Sequence, residues 1–182
     1  MSQSRFKVGT FNVYNLSLPT VPFYNKQYSE AVYAKKIRWI GHQLDGMKAD
    51  VVGFQEVWQQ QALQEAIDQS EFLKDAKIVI AEAQETTPSV AIASRFPVIS
   101  HEVIADFPEA SLLNIEGEEL ALKQFSRPVL CVRVELRDGV ECTVVVAHLK
   151  SKRPDLAEGA DPNDPLEQAK GQVRSLIRRS AE

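Results

Sequence analysis

Val51-Val52-Gly53-Phe54 is a run without a polar side chain, set between Asp50 and Gln55. A strand of that composition needs apolar cover on both faces, so the chain must build a sheet with layers on either side. Its surroundings supply the layers. Phe6 to Val13 reads as a strand with one buried face. Tyr33, Ile37, Ile40, Leu44 and Met47 recur at steps of four and three, the period of an amphipathic helix. A Gln-rich helix follows, with Ala62, Leu63, Ala66, Ile67 and Leu73 on its inner side and Gln59 to Gln61 as a solvated face. Lys77 to Ala81, Ser89 to Ala93 and Val98 to Ala105 read as strands. Val129 to Leu136 and Glu141 to His148 form a hairpin. Leu166 to Ala181 closes as a helix, with Val173, Leu176 and Ile177 on its apolar side. Residues 14–32 read as an irregular aromatic loop that either shapes a pocket or packs on the sheet edge, 106–124 as an acidic surface excursion, and 153–165 as a Pro-rich loop. Early alternation of strands and helices, then antiparallel pairing, predicts a mixed α/β layered domain.

Composition narrows the function. At 182 residues and 44% hydrophobic, the chain has material for a core and is neither disordered nor disulfide-stapled. Lys plus Arg number 21 against 25 for Asp plus Glu, a net charge of −4. A protein that holds nucleic acid by bulk charge is normally basic, so any phosphate chemistry here must rest on a local site. A tight turn on Asp138-Gly139 would place Cys131 opposite Val146 and Cys142 opposite Glu135, leaving two buried thiols, compatible with a reducing compartment. Met1-Ser2-Gln3-Ser4-Arg5 runs directly into the first strand without a secretory signal, and no stretch is long enough to span a membrane. A cytoplasmic location is expected.

Three apolar runs end on unusual polar residues: the first strand on Asn12, the buried run on Gln55-Glu56, and Thr143 to Ala147 on His148. Polar side chains at the carboxyl ends of neighbouring strands can converge on one rim of a sheet, where α/β folds bind ligands. An amide, a carboxylate and an imidazole there suit a divalent cation and a phosphate. Each also has a plainer explanation: Asn12 as a turn former, Glu56 as a carboxylate opening a helix, His148 as a hydrogen-bonded rim residue.

The local words around these residues are distinctive. They are Gly9-Thr10-Phe11-Asn12-Val13-Tyr14-Asn15-Leu16, Asp50 to Val57, Ser89-Val90-Ala91-Ile92-Ala93-Ser94-Arg95-Phe96-Pro97-Val98, and Val144-Val145-Val146-Ala147-His148-Leu149-Lys150-Ser151-Lys152. In order and spacing they resemble the first half of the endonuclease/exonuclease/phosphatase superfamily, the DNase I-like proteins, from Phe6 to the last helix. The resemblance implies an α/β (α+β) fold, a mixed-sheet β-sandwich flanked by helices in four layers, forming a single, partial domain over 1–182. It implies hydrolysis of phosphate esters with Mg²⁺ or Mn²⁺, nucleic acid being one candidate substrate and phospholipid or inositol phosphate another. Glu56 then holds the metal, Asn12 supports metal and substrate phosphate, and His148 contacts the scissile phosphate. Lys150 and Lys152 would touch phosphate, or be solvated strand-end lysines. Arg127 would face the cleft, or serve a structural ion pair.

The superfamily's second half carries a Gly-Asp-x-Asn element and a terminal Asp-His pair, and neither occurs here. The resemblance therefore covers an amino-terminal portion, expected to be incomplete at its carboxyl end and weakly active or inactive by itself. A different expectation is a non-catalytic half-domain that pairs with itself or another chain through uncovered sheet surface.

Overall fold

The computed structural model describes residues 5–81, 87–108 and 123–182. Among them lie strands β1 (Val8–Leu16), β2 (Val51–Val57), β3 (Lys77–Ile80), β4 (Ser89–Ser94), β5 (Val98–Asp106), β6 (Gln124–Arg137) and β7 (Val140–Val146). The helices are α1 (Glu30–Met47), α2 (Gln60–Ile67) and α3 (Pro165–Ala181). One sheet has the order β1-β2-β4-β3, the other β5-β6-β7. The mixed two-sheet α+β architecture expected from the sequence is present. The acidic stretch read as a surface excursion lies mostly outside the described residues. Among those described, no helix is long and apolar enough to cross a membrane.

The described residues form two compact units. The first, within Met1–Ile104 and Pro128–His148, contains the sandwich. β1 lies parallel to β2 across the α1 crossover, and β4 runs antiparallel to β2. The central strands are buried on both faces, as the apolar Val51–Phe54 run requires, and successive side chains alternate between the two layers. Val52, Phe54, Ala91 and Ala93 face the helices with Ile40, Leu44, Leu63 and Ile67. Val51, Val79, Val90 and Ile92 face the second sheet and meet Leu130, Val132, Val134 and Val146. Gly53 is required by this contact, since a Cβ there would stand 2.9 Å from Val146 Cγ2. α1 starts under a Ser29 cap and ends at Lys48, whose left-handed backbone (φ 49°) donates its N–H to Leu44 O.

Several local expectations are corrected. Gln59 is buried, not a solvated helix face: its Oε1 accepts the Leu18 amide at 2.9 Å, while Gln60 and Gln61 are exposed. Leu73 is buried but lies beyond the end of α2. In the hairpin Arg137 pairs with Val140, yet an irregularity between Glu135 and Arg137 shifts everything beyond it by one residue. Cys131 therefore faces Val145, and Cys142 faces Val134. Both thiols are free and half-buried rather than buried.

The second unit, within Ala105–Arg127 and Leu149–Glu182, centres on α3. Its apolar side was expected to be inward. Val173 and Leu176 are exposed instead, and Gly171 and Ser175 are buried. The reason is local: segment 151–156 runs across the small-residue side, where a Cβ on Gly171 would meet Leu156 Cδ2 at 2.9 Å. Ser175 Oγ donates to Ser151 O at 2.8 Å there.

Candidate active site

The ends of β1 and β2 are distorted together. Tyr14 (φ 51°), Asn15 (φ 54°) and Glu56 (φ 65°) all occupy the left-handed region. Ladder register shifts between Asn12 and Leu16 on β1 and between Gln55 and Val57 on β2. Each non-glycine residue in that region costs roughly 1 kcal/mol or more, so such geometry persists only where its surroundings hold it. The bulges re-aim side chains at the sheet rim.

What holds them is a network around Glu56. Asn12 Nδ2 donates to Glu56 Oε1 at 2.9 Å, and the Asn15 amide donates to Oε2 at 3.0 Å. Asn12 Oδ1 accepts the Tyr14 amide at 2.8 Å. Trp58 Nε1 donates to Asn15 Oδ1 at 3.1 Å, and the Tyr28 hydroxyl donates to Asn15 O at 3.0 Å. Lys36 Nζ donates to Tyr14 O at 2.8 Å and lies 5.2 Å from the centre of the Tyr28 ring. Burial lowers the Lys36 pKa, against the raising influence of Glu56. Burial raises that of Tyr28, helped by Tyr14 and Glu56.

The second sheet brings the imidazole. Val144 and Val146 share one strand face by the two-residue period and pack in the inter-sheet core, and His148 follows two residues beyond the end of β7. His148 Nε2 thereby stands 3.8 Å from Glu56 Oε1, an ion pair whenever the ring is protonated. Both side chains retain some exposure, 17% and 19%, so the carboxylate is reachable from solvent.

Asn12, Glu56 and His148 are thus brought together. Lys150, Lys152 and Arg127 belong to the second unit. There Lys150 Nζ lies 3.8 Å from Asp155, Lys152 is exposed and Arg127 half-buried. Asn15, Tyr28, Lys36 and Trp58 were not foreseen. Trp58, two residues after Glu56, and Asn15, three after Asn12, lie inside or beside the distinctive words, whereas Lys36 looks like any polar residue of an amphipathic helix. The 14–32 segment packs through its aromatics: Phe23 lies 4.7 Å from Tyr28, and Tyr24 lies 5.4 Å from Trp58 between ring centres.

Two sheets with flanking helices give the chain a DNase I-like fold. Among solved structures, the chain is similar to a humanized zebrafish (D. rerio) TDP2 carrying 14 mutations, with TM-score 0.53 and 16% identity over 81% of this chain and 49% of that one. It is similar to TDP2 from C. elegans, with TM-score 0.51 and 18% identity over 81% of this chain and 36% of that one. A β-hairpin deletion mutant of beta toxin from Staphylococcus aureus gives TM-score 0.52 and 18% identity over 91% and 59% of the two chains. The chain therefore spans less than two thirds of the length of each. No family model and no curated protein matches the sequence.

Proposed function

We propose that this chain carries the Glu56 portion of a metal-assisted phosphoester hydrolase site, with a phosphodiester of the nucleic-acid type as the first substrate class to test. The observation that carries the proposal is the pair of left-handed distortions that focus Asn12 and the Asn15 amide on one carboxylate. Strain of that kind is kept where a side chain must be aimed.

The donor set fits a hard cation that keeps much of its water. Glu56 accepts one hydrogen bond on each oxygen, and a carboxylate offers about four lone-pair sites, so capacity remains. Among the described residues, no group of three or more His, Cys, Asp or Glu could hold a metal. Mg²⁺ or Mn²⁺ bound through one carboxylate, with Asn12 beside it, would draw its other ligands from water and substrate phosphate. Bound there, the cation supplies Lewis-acid polarisation of a phosphoryl oxygen. The chain's own residues do the rest: Asn12 and Asn15 fix the carboxylate, His148 donates to a phosphate oxygen, and Lys36 adds positive charge behind the kink.

Mn²⁺ titration followed by amide line broadening tests the metal directly. Broadening centred on Asn12, Asn15, Glu56 and His148, and lost in Glu56→Ala, is expected. Hydrolysis of a chromogenic phosphodiester should require Mg²⁺ or Mn²⁺ and fall by roughly 100-fold or more in the same variant. Measurable hydrolysis that proceeds equally in variant and parent, or broadening that ignores Glu56, would overturn the assignment. One observation favours the other reading, a half-domain that pairs with a second copy: α3 exposes Leu166, Val173 and Leu176. Sedimentation as a monomer at all concentrations would remove it.

A further inference from the structure

At the opposite ends of β1 and β2 from Glu56, a second polar cluster has no role in this chemistry. Arg5, Lys7, Lys48, Asp50, Phe72 and Arg95 line a cleft of about 310 Å³. Four cations less one carboxylate give +3, in a chain whose net charge is −4. The carboxylate is already satisfied. Asp50 Oδ1 accepts Arg95 NH1 at 2.9 Å, and Oδ2 accepts the Lys7 amide at 3.0 Å. Arg95 is held on a second side, its guanidinium 4.2 Å from the centre of the Phe72 ring. The neighbouring acids are engaged as well: Asp45 accepts from Ser70 and the Phe72 amide, and Glu71 pairs with Lys74. Among the described residues, Arg5, Lys7 and Lys48 enter no ion pair.

Lys48 is the most telling. It occupies the left-handed cap of α1, a position where glycine is usual and any side chain is strained. The negative end of α1 favours one cation there, but it does not call for Arg5, Lys7 and Arg95 from three other segments. A fixed guanidinium with ammonium groups around it is the arrangement that recognises a phosphate dianion.

We propose that this cleft binds the phosphate group of a small molecule, with Arg95 as the preorganised contact, Lys7 and Lys48 as flexible charges, and Phe72 as an apolar wall. The site is separate from Glu56 and does not depend on the hydrolase proposal. Titration of the full chain with sodium phosphate and with phenyl phosphate, at constant ionic strength and followed by amide shifts, tests it. Saturable shifts at Lys7, Lys48, Asp50 and Arg95 below about 10 mM are expected, unchanged in Glu56→Ala. Tighter binding of phenyl phosphate would identify an organic monoester using Phe72; equal binding would identify free phosphate.

The decisive variant is Lys48→Gly combined with Lys7→Gln. Glycine suits the cap, so the thermal midpoint should hold or rise while phosphate affinity falls about tenfold. Arg95→Lys, which keeps the charge beside Asp50 but loses the planar fork, should also weaken binding. Shifts that never saturate, affinity unchanged in the double variant, or loss of these shifts in Glu56→Ala would each overturn the proposal.

Discussion

Gly53→Ala tests whether the inter-sheet contact positions the candidate site. Gly53 lies three residues before Glu56, and Val146 lies two before His148, so the two strands that carry the acid and the imidazole meet at this point. The added methyl would stand 2.9 Å from Val146 Cγ2 and 3.2 Å from Cγ1. Val146 is 4% exposed and has little room to retreat. Overpacking of a filled core costs roughly 1–3 kcal/mol. Gly53 is not among the positive-φ residues, and the smaller entropy of the unfolded alanine chain returns roughly 0.4–1 kcal/mol. The net expectation is a loss of about 1–2 kcal/mol in urea unfolding. Val146→Ala alone removes two buried methyl groups and should cost about 2 kcal/mol. In the double variant the new methyl occupies the space that Val146 vacates, so the costs should fall short of additivity by about 1–2 kcal/mol. The His148 ring resonances should move in Gly53→Ala and return towards their original positions in the double variant. Strict additivity, or a silent His148, would show that Val146 yields freely and that this contact does not hold the two strands in place.

Two further perturbations address other parts of the first unit. Trp58→Phe leaves Asn15 Oδ1 without its indole donor beneath a left-handed backbone; a loss of about 1–3 kcal/mol and faster exchange of the Asn15 amide are expected in unfolding and hydrogen-exchange measurements. The Asp45 pKa is held below the ordinary carboxylate range by the Ser70 hydroxyl and the Phe72 amide. Its stabilisation is therefore complete above the unfolded-state pKa and disappears as pH falls through the folded-state value. Asp45→Asn can still accept both bonds on one oxygen, so it should cost only about 1 kcal/mol at neutral pH and flatten the acid limb of the stability profile. An unchanged acid limb would refute that account.

The layers were legible in the sequence because periodicity reports burial. The Val51–Phe54 run announced a strand covered on both faces, and the four-three spacing from Tyr33 to Met47 announced the helix that covers one of them. The convergence of Asn12 and Glu56 was legible because each ends an apolar run and β1 and β2 are neighbours, whereas His148 comes from the other sheet and not from the same sheet rim. The means of convergence was not legible. A regular strand alternates, so Gln55 and Glu56 would point to opposite faces and only one could serve the rim. It is the bulge, with Glu56 at φ 65°, that breaks the alternation, and nothing in Phe54-Gln55-Glu56-Val57 is a glycine that would advertise a left-handed turn. Leu136 in the hairpin presents the same problem, a single-residue irregularity that moved both cysteines by one position. Helix α3 shows a third kind of limit: Val173, Leu176 and Ile177 have helical spacing, but spacing says which residues share a face and not what chain lies across it. Gly171 and Ser175 win the buried side because backbone at 151–156 can approach only small residues closely. The distorted rim is thus specified by tertiary partners, Lys36 and Tyr28 on the carbonyls of Tyr14 and Asn15 and Trp58 on the Asn15 side chain. Their sequence positions carry no periodic signal because their task is to hold backbone rather than to fill a core.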